Sequence, residues 1–336
     1  MKIAFLTTRL EKPSYRFRVG QFLPFLEQHG VACAPFIIPP VGLARVRLFL
    51  GLRGYDAVFL QKKMLGPFDR LILRRAARRI VYDVDDAVMF GEHDRSGAPR
   101  RLRMRRFRAM ARMSDLVLAG NDTLRQAAAA HAARVFCFPT VVDTDQYRPE
   151  ARVPRTPPVI GWSGSRSTNV YLNAVLPALD RLAGRVPFTL RVVSDTPAGI
   201  DLARHGNVRA EFSRWSAATE RDDFRGFDIG LMPLPDTPWA RGKCALKALV
   251  YMACGVPAVC SPVGVVSTII TNGRNGFLAA SGGEWEGAME RLLRDAALRR
   301  EVSARGRETV EERYSLAAHA PRLLAILRDL CGEDTP

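Results

Sequence analysis

The sequence predicts two consecutive α/β domains, each built on a doubly wound parallel sheet. Three observations lead to this fold class. The chain has 336 residues, of which 47% are hydrophobic and 25% charged, as in an ordinary globular protein with room for about two domains. Short, almost continuously apolar segments alternate with helical ones, which is typical of parallel strands buried on both faces. A Pro-rich stretch interrupts this alternation near the middle of the chain.

The first alternating series covers roughly residues 1–140, which we assign to an N-terminal domain. Its strand candidates are rich in Val, Ile and Phe: KIAFLTT, VACAPFI, YDAVFLQ, RIVYDV, DLVLAG and ARVFCFP. Helix candidates lie between them. We expect RVGQFLPFLEQHG to end at Gly30 and NDTLRQAAAAHAA to begin with Asn121 as its N-cap.

The second series begins after the strandless segment PTVVDTDQYRPEARVPRTPP, so we assign residues 141–158 to a linker. Its strand candidates define a domain over residues 159–314: PVIGWSG, FTLRVVSD, VRAEF, FDIGLMPL, PAVCS and GFLAA. The last segment, LAAHAPRLLAILRDL, is amphipathic. We expect residues 315–336 to form a helix that crosses back to the first domain, and the two domains to face a cleft.

The formal net charge is +16, and much of the excess lies in two arginine-rich segments, DRLILRRAARRI and PRRLRMRRFRAMAR. Apolar residues at helical intervals let Leu102, Phe107 and Met110 face a core while the guanidinium groups point outward. Three explanations stay open: an anionic membrane surface, a nucleic acid, or arginine used wherever a solvated cation is tolerated. Acidic lipid is favoured over nucleic acid because no nucleic-acid motif accompanies the charge.

Composition also indicates the compartment. No apolar run approaches the roughly 20 residues that span a bilayer, and MKIAFLTTRLEKPSYRFR lacks the apolar stretch of a secretory leader. The six cysteines form no C-x-x-C pair and no zinc-ligand spacing with histidine, so neither a metal cluster nor a disulfide framework is expected. We predict a cytoplasmic protein, peripheral at the inner membrane face if its arginine-rich helices bind lipid.

A loop of the second domain, GWSGSRSTN, has the residue types that bind phosphate. Gly161 and Gly164 allow close backbone approach, Ser163 and Ser165 offer hydroxyls, and Arg166 offers a fork of donors. Ligands of open α/β sheets bind beyond the carboxyl ends of the strands, where such a loop lies. The alternative for this loop alone is a simple turn.

Two further loops follow strands of the same sheet, SDTPAG and PDTPWARGKC. In the second, Arg241 and Lys243 are expected at the start of a helix, where the dipole is already positive and cations are unfavourable. A bound anion would reverse that balance. Three such loops on one sheet edge therefore predict a phosphate site, although a solvated Lys243 remains the alternative.

The segment from Phe227 to Ala279, which contains KALVYMACGVPAVCSPVG and NGRNGFL, resembles the donor-binding half of GT-B glycosyltransferases of the retaining family 4 type. RFRVGQFLPFLEQHGV and YDVDDAV resemble the acceptor-side half. The resemblance implies the GT-B fold, with two Rossmann-like domains, and transfer of a sugar from a UDP- or GDP-linked nucleotide-sugar to a glycan or lipid-linked acceptor. It implies no metal and no required cofactor. It also implies that the Arg166 loop and the helix start from Lys243 to Lys247 contact the diphosphate.

Arg166 and Lys243 are thus the candidate catalytic cations, since preorganised cations stabilise a diphosphate that departs with growing negative charge. In the family the leaving phosphate itself is thought to take the acceptor proton. Trp215 is a candidate to flank the nucleotide base, with core packing as the alternative.

One departure from the family pattern concerns two glutamates that usually hold the sugar and the ribose. Those positions fall on Gly242 and Val250, neither of which accepts a hydrogen bond through its side chain. Asp236 is the nearest carboxylate that could replace the sugar contact, and its alternative is a turn residue. The competing function is therefore a non-catalytic nucleotide-sugar or polyanion-binding protein that has lost the donor-site glutamates.

Acceptor-side candidates follow the strands of the first domain. They are Ser14, Tyr15, Arg16, Asp85, Asp86 and His93. Arg18 is expected to turn toward solvent. The carboxylates of DVDD, residues 83–86, could instead hold a divalent cation, but a cluster at a strand end is commonly a cap or a turn, and no metal site is predicted.

Overall fold

Two six-stranded parallel sheets, each flanked by helices, make up the protein. The computed structural model describes residues 1–91, 100–150 and 155–332. The chain divides into two compact units: an N-terminal unit of Met1–Val141, Thr237–Cys244 and Leu316–Pro336, and a C-terminal unit of Val142–Asp236 and Ala245–Ser315. The predicted fold class, two doubly wound α/β domains, is confirmed.

The sheet of the N-terminal unit has the strand order β2-β1-β3-β4-β5-β6. Its strands are β1 (Lys2–Thr7), β2 (Ala32–Ile37), β3 (Ala57–Gln61), β4 (Ile80–Val84), β5 (Leu116–Ala119) and β6 (Val135–Cys137). Its helices are α1 (Pro13–Arg18), α2 (Leu23–Gln28), α3 (Leu43–Leu50), α4 (Pro67–Ala76), α5 (Arg101–Met113) and α6 (Asp122–Ala129), joined by α15 (Leu316–Cys331) from the end of the chain.

Two apolar layers cover the faces of this sheet. On one face, α3, α4 and α5 contribute Phe49, Leu73 and Phe107 to a core. On the other, α15 contributes Leu323 and Leu327 to a second core, which contains β1, β3 and the residues around α2. Because both faces are covered, the central strands β3 and β4 are buried along their whole length, as parallel strands must be.

The sheet of the C-terminal unit has the order β12-β11-β10-β7-β8-β9. Its strands are β7 (Val159–Ser163), β8 (Thr189–Ser194), β9 (Ala210–Arg214), β10 (Ile229–Met232), β11 (Ala258–Cys260) and β12 (Phe277–Leu278). Its helices are α7 (Asn169–Leu172), α8 (Leu176–Ala183), α9 (Glu220–Arg225), α11 (Leu246–Ala253), α12 (Val266–Ile269), α13 (Gly282–Arg294) and α14 (Ala296–Arg313). The short helix α10 (Pro238–Arg241) belongs to the N-terminal unit.

Two helix ends have the capping residues that the sequence predicts. The Asn121 side chain caps α6 by accepting the Leu124 N–H at 3.0 Å. Gly30 follows α2 with φ of +83°, the left-handed conformation in which glycine ends a helix. The expectation that Leu102 faces a core is wrong: Phe107 and Met110 are fully buried, but Leu102 is 61% exposed. Among the described residues, no helix combines the length and the apolar character needed to cross a bilayer.

Candidate functional site

In the C-terminal sheet, the chain adds β8 and β9 on one side of β7 and then adds β10, β11 and β12 on the other side. The order of strands therefore reverses at one point. Numbered within the unit, the order is 6-5-4-1-2-3, which places the reversal between β7 and β10. In doubly wound sheets, ligands bind at the carboxyl ends of the two strands that flank such a point. Here those ends are Ser163 and Met232, so the loops that begin at Gly164 and Pro233 line the predicted site.

The loop after β7 is held by its own hydrogen bonds. The Ser165 N–H donates to Thr168 Oγ1 at 3.0 Å, and the Arg166 N–H donates to Asp195 Oδ1 at 2.7 Å. The Arg166 side chain is exposed. The backbone that carries Arg166 is therefore fixed by hydrogen bonds, while its guanidinium group is exposed.

Gly161 and Gly164 have a packing role that the sequence does not predict. A Cβ atom on Gly161 would lie 2.0 Å from the Phe227 ring, and one on Gly164 would lie 2.0 Å from the Trp162 ring. Both glycines make room for buried aromatic side chains. Ser163, between them, is buried, and its N–H donates to the Tyr251 hydroxyl at 3.1 Å.

The helix that we expect to open at Arg241 and Lys243 begins later, at Leu246. Arg241 ends the short helix α10, which Thr237 caps by accepting the Ala240 N–H. The chain then passes through Ala245, whose φ of +54° is left-handed and unusual for a residue with a Cβ atom. This conformation separates the two helices.

Lys247, in the first turn of α11, is half-buried, and its ammonium lies 4.9 Å from the centre of the Trp162 ring. Trp162 belongs to β7, the strand that carries the Arg166 loop. Lys247 and Arg166 therefore extend from neighbouring elements of one unit. Asp236 is exposed in the loop after β10. Trp215, after β9, donates from Nε1 to Glu220 Oε2 at 2.9 Å, which fixes its ring at the far edge of the sheet.

In the N-terminal unit, the acceptor-side candidates follow β1 and β4, two strands that are separated in the sheet by β3 alone. Ser14, Tyr15 and Arg16 lie in α1, directly after β1. The Ser14 carbonyl accepts from Gln61 Nε2 at 2.6 Å, so α1 is tied to the end of β3. Tyr15 is 7% exposed, and burial raises the pKa of its hydroxyl. His93 lies outside the described residues.

Asp85 and Asp86, after β4, lie next to two ammonium groups. Asp86 forms ion pairs with Lys62 and Lys243, the latter at 3.8 Å, and Asp85 lies 3.6 Å from Lys62. Burial alone would raise the pKa of the Asp86 carboxyl, but Lys62 and Lys243 outweigh burial and lower it. Burial would lower the pKa of the Lys62 ammonium, but Asp85 and Asp86 raise it.

Lys62 is a site residue that the sequence analysis missed. It directly follows β3, with a left-handed φ of +57°, and its N–H donates to the Asp83 carbonyl at 2.7 Å. No motif surrounds it in the sequence; only its position after a predicted strand could have drawn attention to it. Within the described residues, no three His, Cys, Asp or Glu side chains are grouped to hold a metal ion.

The expectation that Arg18 turns toward solvent is wrong. Arg18 is 2% exposed and donates to both carboxylate oxygens of Asp83, with Nε to Oδ2 at 3.2 Å, and to the Phe138 carbonyl at 2.6 Å. A buried guanidinium needs such a set of acceptors. Asp83 is thereby committed to an internal ion pair, and only Asp85 and Asp86 of the DVDD segment extend toward the strand edge.

The segment Thr237–Cys244 packs on the same edge of the N-terminal unit. Asn121 Nδ2 donates to the Lys243 carbonyl at 3.1 Å, and Cys244 Sγ donates to the Asp85 carbonyl at 3.2 Å. The Lys243 ammonium lies 5.3 Å from the centre of the Trp239 ring. The structure thus brings together Lys243, predicted on the donor side, and Asp86, predicted on the acceptor side.

Comparison with known families identifies part of the chain. Residues 157–295, which carry β7 to β12 and the Arg166 loop, match the family model of the Glycosyl transferases group 1. This segment is similar to the domain that the Glycosyl transferases group 1 model describes. A search of curated protein sequences finds no match.

Solved structures that resemble nearly the whole chain include sucrose-phosphate synthase from Thermosynechococcus elongatus, which has a TM-score of 0.77 and 15% identity. The likeness covers 98% of this chain and 99% of that chain. Anabaena HepE in complex with UDP and glucose has a TM-score of 0.73 and 17% identity, covering 98% and 100%. A glycosyltransferase from Rickettsia africae has a TM-score of 0.70 and 11% identity, covering 99% of each chain. These likenesses show the GT-B fold.

Two positions within residues 157–295 lack the glutamates that the resemblance predicts, and the structure gives a reason for one of them. A Cβ atom on Gly242 would lie 2.4 Å from the Ala87 Cβ and 2.9 Å from the Ala87 N. No glutamate fits there without moving the backbone of the DVDD segment. Val250 lies within α11 and is 1% exposed.

Proposed function

We propose that the protein is a glycosyltransferase that moves a sugar from a UDP- or GDP-linked donor to a saccharide or lipid-linked acceptor. The observation that carries this proposal is the strand reversal between β7 and β10 in the matched domain, with the exposed Arg166 directly after β7. The complex of HepE with UDP and glucose supports a nucleotide-sugar as the donor class. Retention of the anomeric configuration and independence from metal are part of the proposal.

In this proposal, Arg166 and Lys247 contact the donor diphosphate, since both are cations on elements joined to β7. They would stabilise the negative charge that grows on the leaving diphosphate. Lys243 and Arg241 remain proposed diphosphate contacts, with Asp236 as the proposed sugar contact and Trp215 beside the base. The proposed acceptor residues are those after β1 and β4, in particular Ser14, Arg16, Asp85 and Asp86.

A second candidate function is a nucleotide-sugar or polyanion-binding protein without turnover. Gly242 and Val250 favour it, because neither supplies the carboxylate that holds the sugar or ribose in the resembling family. The contact of Gly242 with Ala87 fits a site rebuilt around a smaller residue.

Donor binding is tested by titration calorimetry with UDP and GDP. We expect Arg166→Ala to weaken binding of the preferred diphosphate by about tenfold or more, since a charge-assisted hydrogen bond contributes about 1.5–3 kcal/mol. Arg204→Ala is the matched control: it removes the same charge from the same unit at a side chain that is 83% exposed. Equal affinities of Arg166→Ala and the wild type would reject the proposed donor site.

Turnover separates the two candidate functions. We expect release of UDP or GDP from the bound nucleotide-sugar when saccharide or lipid-linked acceptors are added. Tight diphosphate binding by the wild type without release across a panel of sugars and acceptors would favour the binding protein.

The proposed working location is the inner face of a membrane, with the arginine-rich helices α4 and α5 of the N-terminal unit toward anionic lipid. The outward arginines of α5 support it: Arg101, Arg103, Arg105, Arg106, Arg108 and Arg112 are all exposed. Nucleic acid is not the expected partner.

A further inference from the structure

Six large apolar side chains are exposed on one part of the N-terminal unit. They follow the end of β2 or lie on α3 and α4, and we call them the apolar patch: Ile37, Val41, Leu43, Leu50, Phe68 and Leu71. Val41 is 84% exposed, Leu43 75% and Phe68 65%. Among the described residues only four other large apolar side chains are exposed, so exposure of this kind is concentrated here. Concentrated apolar exposure marks an interaction surface.

A buried ion pair holds the most exposed members of the patch together. Arg45, in the first turn of α3, donates from Nη1 to Asp69 Oδ2 in the first turn of α4 at 2.7 Å. Arg45 also donates to the Pro39 carbonyl from Nε at 2.9 Å and from Nη2 at 2.7 Å. These bonds join the loop before α3 to the start of α4. Leu43 lies two residues before Arg45, and Phe68 lies one residue before Asp69. The ion pair therefore fixes the positions of these two exposed side chains relative to each other.

The patch lies in strongly basic surroundings. Helices α3, α4 and α5 contain eleven arginines and one acidic residue, Asp69, whose carboxylate is already paired with Arg45. The three helices pack on the same face of the sheet, since Phe49, Leu73 and Phe107 share one core. Exposed apolar side chains and exposed guanidinium groups therefore occur on one helical layer.

We propose that Val41, Leu43, Phe68 and Leu71 insert into the interface of a membrane that contains anionic phospholipid, while arginines of α3, α4 and α5 contact the headgroups. This inference rests on the proposed peripheral location and specifies the residues that enter the lipid. Apolar side chains that enter the acyl boundary and cations at the headgroups are the two contributions that bind a protein to a membrane surface.

Two other occupants fit the observations less well. A nucleic acid would match the arginines, but it offers no apolar phase for Val41, Leu43 and Phe68. A second copy of this chain would cover the apolar side chains, but it would bring two arginine-rich layers against each other, and like charges repel.

The test is co-sedimentation of the full chain with vesicles of phosphatidylcholine alone and with vesicles in which phosphatidylglycerol replaces part of the phosphatidylcholine. We expect binding to the anionic vesicles only. The double variant Leu43→Asn/Phe68→Asn should lower the partition coefficient by about tenfold or more. The control Val170→Asn/Phe212→Asn removes two exposed apolar side chains from the C-terminal unit and should bind as the wild type does.

An arginine variant distinguishes insertion from simple electrostatic attraction. If Arg101→Gln/Arg105→Gln loses vesicle binding while Leu43→Asn/Phe68→Asn keeps it, the peripheral location stands and insertion of the apolar patch is rejected. Binding of the wild type to an RNA duplex but to neither vesicle type rejects both. As a second measurement, Phe68→Trp should gain fluorescence that brominated phospholipid quenches; no quenching beyond that of the wild type would also overturn the inference. Diphosphate affinity, measured without vesicles, tests the sugar-transfer proposal separately.

Discussion

Asp86 receives ion pairs from two ammonium groups, Lys62 and Lys243, that lie far apart in the chain. Together with the left-handed backbone of Lys62, this arrangement keeps a carboxylate charged where burial alone would favour its neutral form. Charge is thus concentrated, but nearly balanced, at the carboxyl edge of the N-terminal sheet.

The lowered pKa of Asp86 predicts a specific pH dependence of stability. A carboxyl whose pKa is lower in the folded protein stabilises the fold at pH values above its ordinary pKa of about 3.9, and this stabilisation is lost as the pH falls toward the folded value. In Asp86→Asn, the free energy of unfolding should therefore fall less steeply with acidification below about pH 4–5 than in the wild type. Urea unfolding at a series of pH values measures this.

Asp201→Asn is the control for that comparison, because it removes a carboxylate whose side chain is 45% exposed. Its pH profile should match that of the wild type. A profile of Asp86→Asn parallel to the wild type down to acid pH would contradict the role that we assign to the ion pairs.

Gly161 provides a prediction about packing. In Gly161→Ala the new methyl group would overlap the Phe227 ring, so we expect a loss of about 1–3 kcal/mol in the free energy of unfolding. Gly206→Ala, with no atom within 4 Å of its added Cβ atom, should be close to neutral. Chemical denaturation of both variants checks this; equal stability of the two would mean that the site adapts without strain.

Helices offer a contrast between two glycines of the C-terminal unit. Gly287 is exposed within α13, with open space around an added Cβ atom, whereas a Cβ atom on Gly306 of α14 would lie 3.1 Å from the Asn275 carbonyl oxygen. Gly287→Ala should stabilise the protein by about 0.5–1 kcal/mol through helix propensity. Gly306→Ala should gain less or lose stability. Thermal unfolding of both variants measures the difference, and an equal gain would contradict the packing argument.

At the level of elements, the sequence was a good guide to the strands. Eleven of the twelve described strands lie within the predicted segments, and β9 runs two residues past the end of its segment VRAEF, to Arg214. The agreement arises because parallel strands that are buried on both faces consist of uninterrupted apolar residues. The sequence analysis placed the start of α11 too early. The reason is that local helix propensity gives no sign of the left-handed backbone conformation that Ala245 adopts before the helix. The contacts of Lys62 and Arg18 were missed for a related reason: ion pairs depend on which strands become neighbours, and periodicity does not encode strand order.

The resemblance at residues 227–279 and the phosphate-type loops predict a site at the carboxyl edge of the C-terminal sheet, the edge at which the strand reversal between β7 and β10 also places one. They did not reveal that Gly161 and Gly164 make room for Phe227 and Trp162, because a glycine required by a ligand and one required by a ring look the same in a sequence. The residue-level roles at the donor and acceptor sites stay predictions.

For the molecule as a whole, the reactivity of the buried cysteines would show whether the two units unfold together or separately. Cys244 is buried in the N-terminal unit, and Cys254 and Cys260 in the C-terminal unit. Burial raises the pKa of the Cys244 and Cys254 thiols to about 12. At neutral pH we expect these three to react with iodoacetamide only when their unit unfolds, and the half-buried Cys137 and Cys331 to react sooner. Mass spectrometry of labelled peptides checks this; labelling of Cys260 as fast as that of Cys137 would contradict it.

The division of the N-terminal unit into three chain segments has a consequence for synthesis on the ribosome. Helix α15 supplies Leu323, Leu324, Leu327 and Leu330 to the core that also holds Ile3 and Phe5. Strand β1 is therefore made long before the helix that covers it. The C-terminal unit has all of its residues once Ser315 has left the exit tunnel. The unit that contains β1 therefore receives its last helix only after the C-terminal unit has been made, and until then one apolar face of its sheet lacks that cover.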